Sequence, residues 1–142
     1  MALKTINMQQ KFNAPVKEVF EVLSDHQKFG KICGINMQRT KEGDDGANGL
    51  GSVRKIGIGP LPSFEETITG FVPNEFIQYK ITQGSPIKNH VGELKFTEKE
   101  GTTTLDYSIE LESKIPFTTG IIKNALESGI TKGLSKYARS LG

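Results

Sequence analysis

Between Ser52 and Glu112 the chain alternates strand-like segments with connections too short to hold a helix. The segments run over Ser52–Ile58, Phe64–Val72, Phe76–Thr82, Lys88–Thr97 and Thr102–Glu112. They are joined at Gly59-Pro60-Leu61-Pro62, Pro73-Asn74, Gly84-Ser85-Pro86 and Lys99-Glu100-Gly101, whose Gly, Pro and Asn supply turn conformations. Parallel neighbours need a crossover of a dozen or more residues, so connections this short force an antiparallel meander. Its apolar face must be covered by another element. From Pro116 to Leu141, Ile122, Leu126, Ile130, Tyr137 and Leu141 recur on one broad helical face, with Ala125 and Leu134 at its edges. A sheet curled around one long helix is the α+β solution that buries both faces.

The segment before the meander completes this plan. Leu3–Phe12 reads as a strand with Ile6, Met8 and Phe12 on one side. Asn13-Ala14-Pro15 then places a capping-type residue and a proline where a helix opens, with its stripe at Val16, Val19, Phe20 and Leu23 and its end near Ser24-Asp25. A second short helical segment, Asp25–Lys31, leads into a strand at Ile32–Met37. The expectation is a single domain over residues 1–142: about seven curved antiparallel strands, two short helices after the first strand, and the long C-terminal helix. A sheet gripping one helix leaves a cavity. Gly129 and Gly133, four apart on the helix's apolar face, each cost about 1 kcal/mol against alanine. They either widen that cavity or let the helix pack closely, and the sequence alone leaves both open.

Composition narrows the function classes. With 142 residues, 35% hydrophobic and 24% charged, the chain is globular rather than disordered or fibrous. Its 18 basic and 16 acidic residues are well mixed, giving +2 and no basic stripe, so nucleic acid is not an expected partner. No stretch approaches the roughly 20 apolar residues of a membrane span, and Met1–Phe12 holds no signal-like apolar run. A cytoplasmic protein without membrane insertion, monomeric or homodimeric, is expected. The lone cysteine, Cys33, reads as a small core residue.

Most enzyme chemistries find no residues. His26, His90 and Cys33 lie at spacings that hold no metal, and neither metal nor cofactor is expected. Asp44 and Asp45 lie in a Gly- and Asp-rich loop without the calcium-loop pattern. His26 follows Ser24-Asp25 at a helix boundary and reads as structural. Glu65 and Glu66 are neighbours on a strand and point to opposite faces, so they cannot flank one substrate bond. Alternation places Glu66 inside with Phe64 and Ile68, and Tyr79 with Ile77 and Ile81. His90 joins Leu94 and Phe96, and Tyr107 joins Leu105 and Ile109. Glu66, Tyr79, His90 and Tyr107 thus form a small polar set in an apolar interior, the usual makeup of a small-molecule site. Glu66 and His90 stand two strand spacings apart, roughly 10 Å, within reach through side chains or a water.

These residues carry a resemblance. Ala14-Pro15, Gly51-Ser52-Val53-Arg54-Lys55, Glu66-Thr67-Ile68, Tyr79-Lys80-Ile81, Lys88-Asn89-His90 and Gly101 to Tyr107, in this order, resemble the START-like (Bet v 1-like) helix-grip superfamily. Within it the likeness is to the polyketide cyclase/dehydrase and lipid transport family, and distantly to plant abscisic-acid receptors. The resemblance implies a deep hydrophobic cavity for lipid-, polyketide- or hormone-like molecules. It also implies that Lys31 meets a ligand carboxylate, that Glu66 is a cavity glutamate, and that His90 replaces a cavity tyrosine. Gly59–Ser63, with Leu61, resembles a gate loop over the cavity mouth, and Gln83–Lys88 a latch; Gly129 and Gly133 stand where larger cavity-lining side chains would be. Three readings follow: a carrier or sensor of an apolar ligand with a polar end held by Lys31, Glu66 and His90; a cyclase or dehydratase with His90 as acid/base and Glu66 or Tyr107 as its partner; and a protein-interaction module.

Overall fold

The computed structural model describes residues 3–58, 62–84, 87–113 and 119–142. Seven strands form one antiparallel curved sheet: β1 (Lys4–Phe12), β2 (Asn36–Lys41), β3 (Val53–Gly57), β4 (Phe64–Val72), β5 (Phe76–Gln83), β6 (Ile87–Lys99) and β7 (Thr102–Ser113). Their order across the sheet is β1-β7-β6-β5-β4-β3-β2, the expected meander with β1 added beside β7. Glu100 and Gly101, with φ of 53° and 80°, close the two-residue β6–β7 hairpin. Positive φ at both central positions is what such a turn needs to match the twist of its strands.

Two short helices, α1 (Val16–Ser24) and α2 (His26–Cys33), follow β1, and α3 (Thr119–Ser140) crosses the sheet against β1, β7 and α2. The core lies between them. Phe20 of α1 meets Phe71 and Phe96 edge-on at 5.4 and 5.1 Å, and Tyr137 of α3 lies 5.2 Å from Phe12. Among the described residues no helix is long and apolar enough to cross a membrane.

Two expectations are corrected here. The strand placed at Ile32–Met37 begins at Asn36, because α2 continues to Cys33 and ends where Gly34, φ 69°, turns left-handed. The amides of Gly34 and Ile35 return to the carbonyl of Gly30, a glycine-terminated helix end. Ile32 and Cys33, which looked strand-like, are thus the last turn of α2, whereas β2 itself is mostly polar and exposed. Asn13 does not cap α1 either: its side chain donates to the Gly142 carbonyl at 2.6 Å, and the Val16 amide donates to Glu98 Oε1 of β6 at 2.7 Å.

The two α3 glycines separate into different roles. A Cβ on Gly133 would run into the backbone carbonyl oxygen of Ile32, so of the two readings left open this glycine serves close packing: it allows α3 to touch α2 and opens no cavity there. At Gly129 a Cβ would meet only the Cys33 carbonyl oxygen at 3.6 Å, an ordinary contact. The two alanine substitutions are therefore expected to differ in sign. Gly133→Ala should lower stability by about 1–3 kcal/mol, since backbone cannot retreat as a side chain can. Gly129→Ala should leave it unchanged or raise it by up to ~1 kcal/mol through helix propensity. Thermal unfolding of both variants reads this out.

Candidate functional site

Alternation along β3 turns Ser52, Arg54 and Ile56 inward and leaves Lys55 exposed. On β4 the inward set is Phe64, Glu66 and Ile68. Arg54 and Glu66 are direct partners across these strands, so their side chains meet on the same inner face. Register shifts fall at the two other places that matter. One lies between Glu65 and Glu66 where β4 meets β5; the other lies between Lys88 and Val91 where β6 meets β7, so His90 sits inside it. Such bulges re-aim side chains. They bring Glu66 Oε2 within 3.9 Å of His90 Nδ1 across the intervening strand. That is too long for a direct hydrogen bond.

A polar string now runs through the apolar interior. Arg54 Nε donates to Glu66 Oε1 at 2.8 Å, and its terminal nitrogen contacts the same oxygen at 2.8 Å. Its guanidinium carbon lies 4.5 Å from the Tyr79 ring centroid and 5.4 Å from that of Phe29, a cation held between aromatic faces. On its other side Arg54 reaches His26 Nδ1 at 3.4 Å, while His26 Nε2 lies 2.9 Å from Ser52 Oγ. Arginine only donates, so His26 accepts at Nδ1 and carries its proton on Nε2, which donates to Ser52. Burial, with Arg54 and then Arg39 behind it, drives His26 down to about 3 despite Asp25 nearby. His90 is lowered too, mainly by burial, with Glu66 opposing and Arg54 assisting. Both imidazoles are therefore neutral near pH 7.

The hydroxyls of Tyr79 and Tyr107 hydrogen-bond to each other, and burial pushes both phenols up, so both keep their protons. Tyr79 packs against Gly92, where any Cβ would overlap its ring. Among the described residues neither ring nitrogen of His90 has a hydrogen-bond partner, although the side chain is only 5% exposed.

The space around these groups has two parts. An open apolar cleft of about 370 Å³ is walled by Cys33, Ile35, Ile58, Ile122, Leu126 and Gly129. Beneath it, sharing Cys33, Ile35, Ile58 and Leu126, lies a void of about 20 Å³ floored by Glu66, Tyr79, His90 and Tyr107. That void holds little more than one water. The expected deep cavity is thus mostly filled, because Phe29, Tyr79 and Tyr107 occupy its centre.

Glu66, Tyr79, His90 and Tyr107 converge as the alternation predicts, and Gly129 lines the cleft. Lys31 does not join them. It is exposed on α2, beside Asp25 and Lys28 at an open surface hollow, because the inward face of that helix carries His26, Phe29, Gly30 and Cys33. The interior cation is instead Arg54, which the sequence reading passed over; extending the β3 alternation from Ile56 back to Ser52 finds it. Gly59, Pro60 and Leu61 of the gate expected at Gly59–Ser63 lie outside the described residues, as do Ser85 and Pro86 of the expected latch. Cys33 is buried, its thiol pushed up to about 12 by burial, which suits a core residue. Among the described residues no cluster of three His, Cys, Asp or Glu could hold a metal ion.

Residues 4–142 match the sequence pattern of the polyketide cyclase / dehydrase and lipid transport family. The chain belongs to this family. No curated protein matches it significantly. Among solved structures, a START superfamily protein from Mycobacterium smegmatis superposes with a TM-score of 0.79 at 14% identity, covering 97% of this chain and 99% of that one. The Zhui aromatase/cyclase from Streptomyces gives 0.76 at 15%, covering 99% and 97%. Truncated norcoclaurine synthase from Thalictrum flavum gives 0.70 at 11%, covering 96% and 93%. At these identities the likeness is one of fold, and the polyketide cyclase/dehydrase and lipid transport fold suggests a hydrophobic-ligand-binding domain.

Two outcomes test the interior of this family member. Removing one partner of the ion pair, Arg54→Met or Glu66→Leu, should cost about 3–5 kcal/mol by stranding a buried charge, whereas the double variant should recover most of it; denaturant unfolding of the cycle measures both. His26 is neutral when folded and titrates near 6.5 when unfolded, so below that pH the unfolded state binds the extra proton and stability falls as pH drops toward 3. Between pH 8 and pH 5 His26 alone should account for about 2 kcal/mol of loss, and His26→Gln should flatten the curve by that amount.

Proposed function

We propose that this protein binds a small apolar molecule in the cleft between α2, α3 and the end of β3, with the molecule's polar end directed to His90, and that it serves as a carrier or sensor. The observation that carries this reading is the unpartnered neutral imidazole under an apolar cleft. A buried polar group without a partner costs about 1–3 kcal/mol, which a ligand able to pair with it would recover. The cleft volume of about 370 Å³ lies in the range of small-molecule pockets. Glu66, Tyr79 and Tyr107 complete the polar floor in this proposal, and Lys31, being exposed, is left out of it.

An enzymatic reading keeps one specific support: His90 beside Glu66 resembles an acid/base pair, and one structural relative is an aromatase/cyclase. Burial lowers His90, so at neutral pH it would take up a proton rather than supply one, making it a base in any such step.

Native mass spectrometry of the purified protein, followed by denaturing extraction, tests the binding reading. The expected result is a co-purifying apolar molecule that is lost in Ala125→Trp, a substitution from an exposed position that fills the cleft. An empty protein that also gains no thermal stability from a broad panel of apolar compounds would overturn it.

A further inference from the structure

From the hydrogen-bonding inventory of the cleft floor we infer that the ligand's polar end is a neutral hydroxyl, so that this protein takes alcohols or phenols in preference to carboxylates, ethers or hydrocarbons. The inference rests on the cleft being a binding site and specifies what that site selects.

Charge comes first. Arg54 and Glu66 neutralise each other at 2.8 Å, and Arg54 is sandwiched between Phe29 and Tyr79 behind the void rather than lining it. Lys31 is exposed on the far side of α2. A ligand carboxylate at the floor would therefore be a buried charge without a counter-ion, which is strongly disfavoured. An ammonium meets the same obstacle, since among the described residues the one carboxylate at the floor, Glu66, is already paired with Arg54.

Donors and acceptors come next. His90 Nδ1 faces Glu66 Oε2 at 3.9 Å, so the carboxylate favours the tautomer with its hydrogen on Nδ1 and leaves Nε2 as a bare acceptor. The hydrogen bond between Tyr79 and Tyr107 uses one phenolic hydrogen, so the other is free to donate. With the Nδ1 hydrogen and Glu66 Oε2 turned toward each other, the floor offers one remaining acceptor, His90 Nε2, and one phenolic donor around a void of about 20 Å³. A hydroxyl satisfies both: it donates to His90 Nε2 and accepts from a tyrosine. An ether accepts only and leaves Nε2 buried and unpaired; a hydrocarbon leaves both unpaired. Sites built to pair a hydroxyl discriminate against analogues without one for this reason.

Isothermal titration calorimetry at pH 7.5 with 4-pentylphenol, its methyl ether, 4-pentyltoluene and 4-pentylbenzoate tests this, each probe also with a nonyl tail. The phenol should bind about tenfold more tightly than the ether and the isosteric toluene, and more tightly still than the benzoate. In His90→Phe the advantage of phenol over toluene should shrink to within about twofold while the toluene affinity holds. A methyl ether, toluene or benzoate that matches the phenol overturns the hydroxyl assignment but leaves the apolar cleft standing; silence from all the probes removes the cleft reading itself. The wild-type series decides the matter even where His90→Phe does not fold.

Discussion

A guanidinium and a carboxylate sit in the middle of this protein's apolar interior, and the arrangement around them follows from the need to keep both satisfied. Arg54 and Glu66 are cross-strand partners on β3 and β4, so the pair forms as soon as those strands align. Each charge alone would be costly to bury, and even the pair adds little net stability over well-packed apolar residues of similar volume. What it does is fix geometry. Phe29 from α2 and Tyr79 from β5 close over the guanidinium, His26 from the start of α2 accepts from it, and His90 from β6 is drawn toward the carboxylate. One ion pair therefore ties four strands and a helix to a single layout.

That layout depends on departures from regular strand geometry. Glu66 and His90 belong to strands separated by β5, and regular registers would leave their side chains apart. The two register shifts, together with Gly92, which lets the Tyr79 ring lie against bare backbone, let these side chains converge without disturbing the rest of the sheet. On the helical side, Gly133 brings α3 onto the Ile32 carbonyl, while the cleft stays open beside Gly129.

How much of this could be read from the chain depends on the range of each interaction. The meander, the helix grip and the inward faces of Phe64 to Ile68 and of Leu105 to Leu111 follow from local alternation and short connections, and these were legible. The α2–β2 boundary was not: Ile32, Cys33 and Ile35 look like a strand, and only the left-handed turn at Gly34 separates them. Placing Lys31 inside came from a family likeness, whereas the face of α2 is set by Phe29 and Cys33 packing on the sheet. Arg54 was missed because a charged residue on a strand reads as exposed unless its partner across the sheet is known. The opposite sense of the two glycines is a matter of tertiary contact, invisible in a helix of unknown neighbours.

The same contacts explain how a chain with a filled interior can still be organised around a ligand. Most of the free energy available for binding comes from apolar area, at about 25 cal/mol per Å², and that area lies in the open cleft rather than in the void beneath it. The void is too small to add much area, but its walls carry both unpaired ring nitrogens of His90. On the proposed binding reading, affinity and selectivity are divided between two places: the cleft between α2 and α3 takes the apolar body, and the floor selects by its polar end. Because so few side chains make up such a floor, a shared fold at 11 to 15% identity carries little information about ligand.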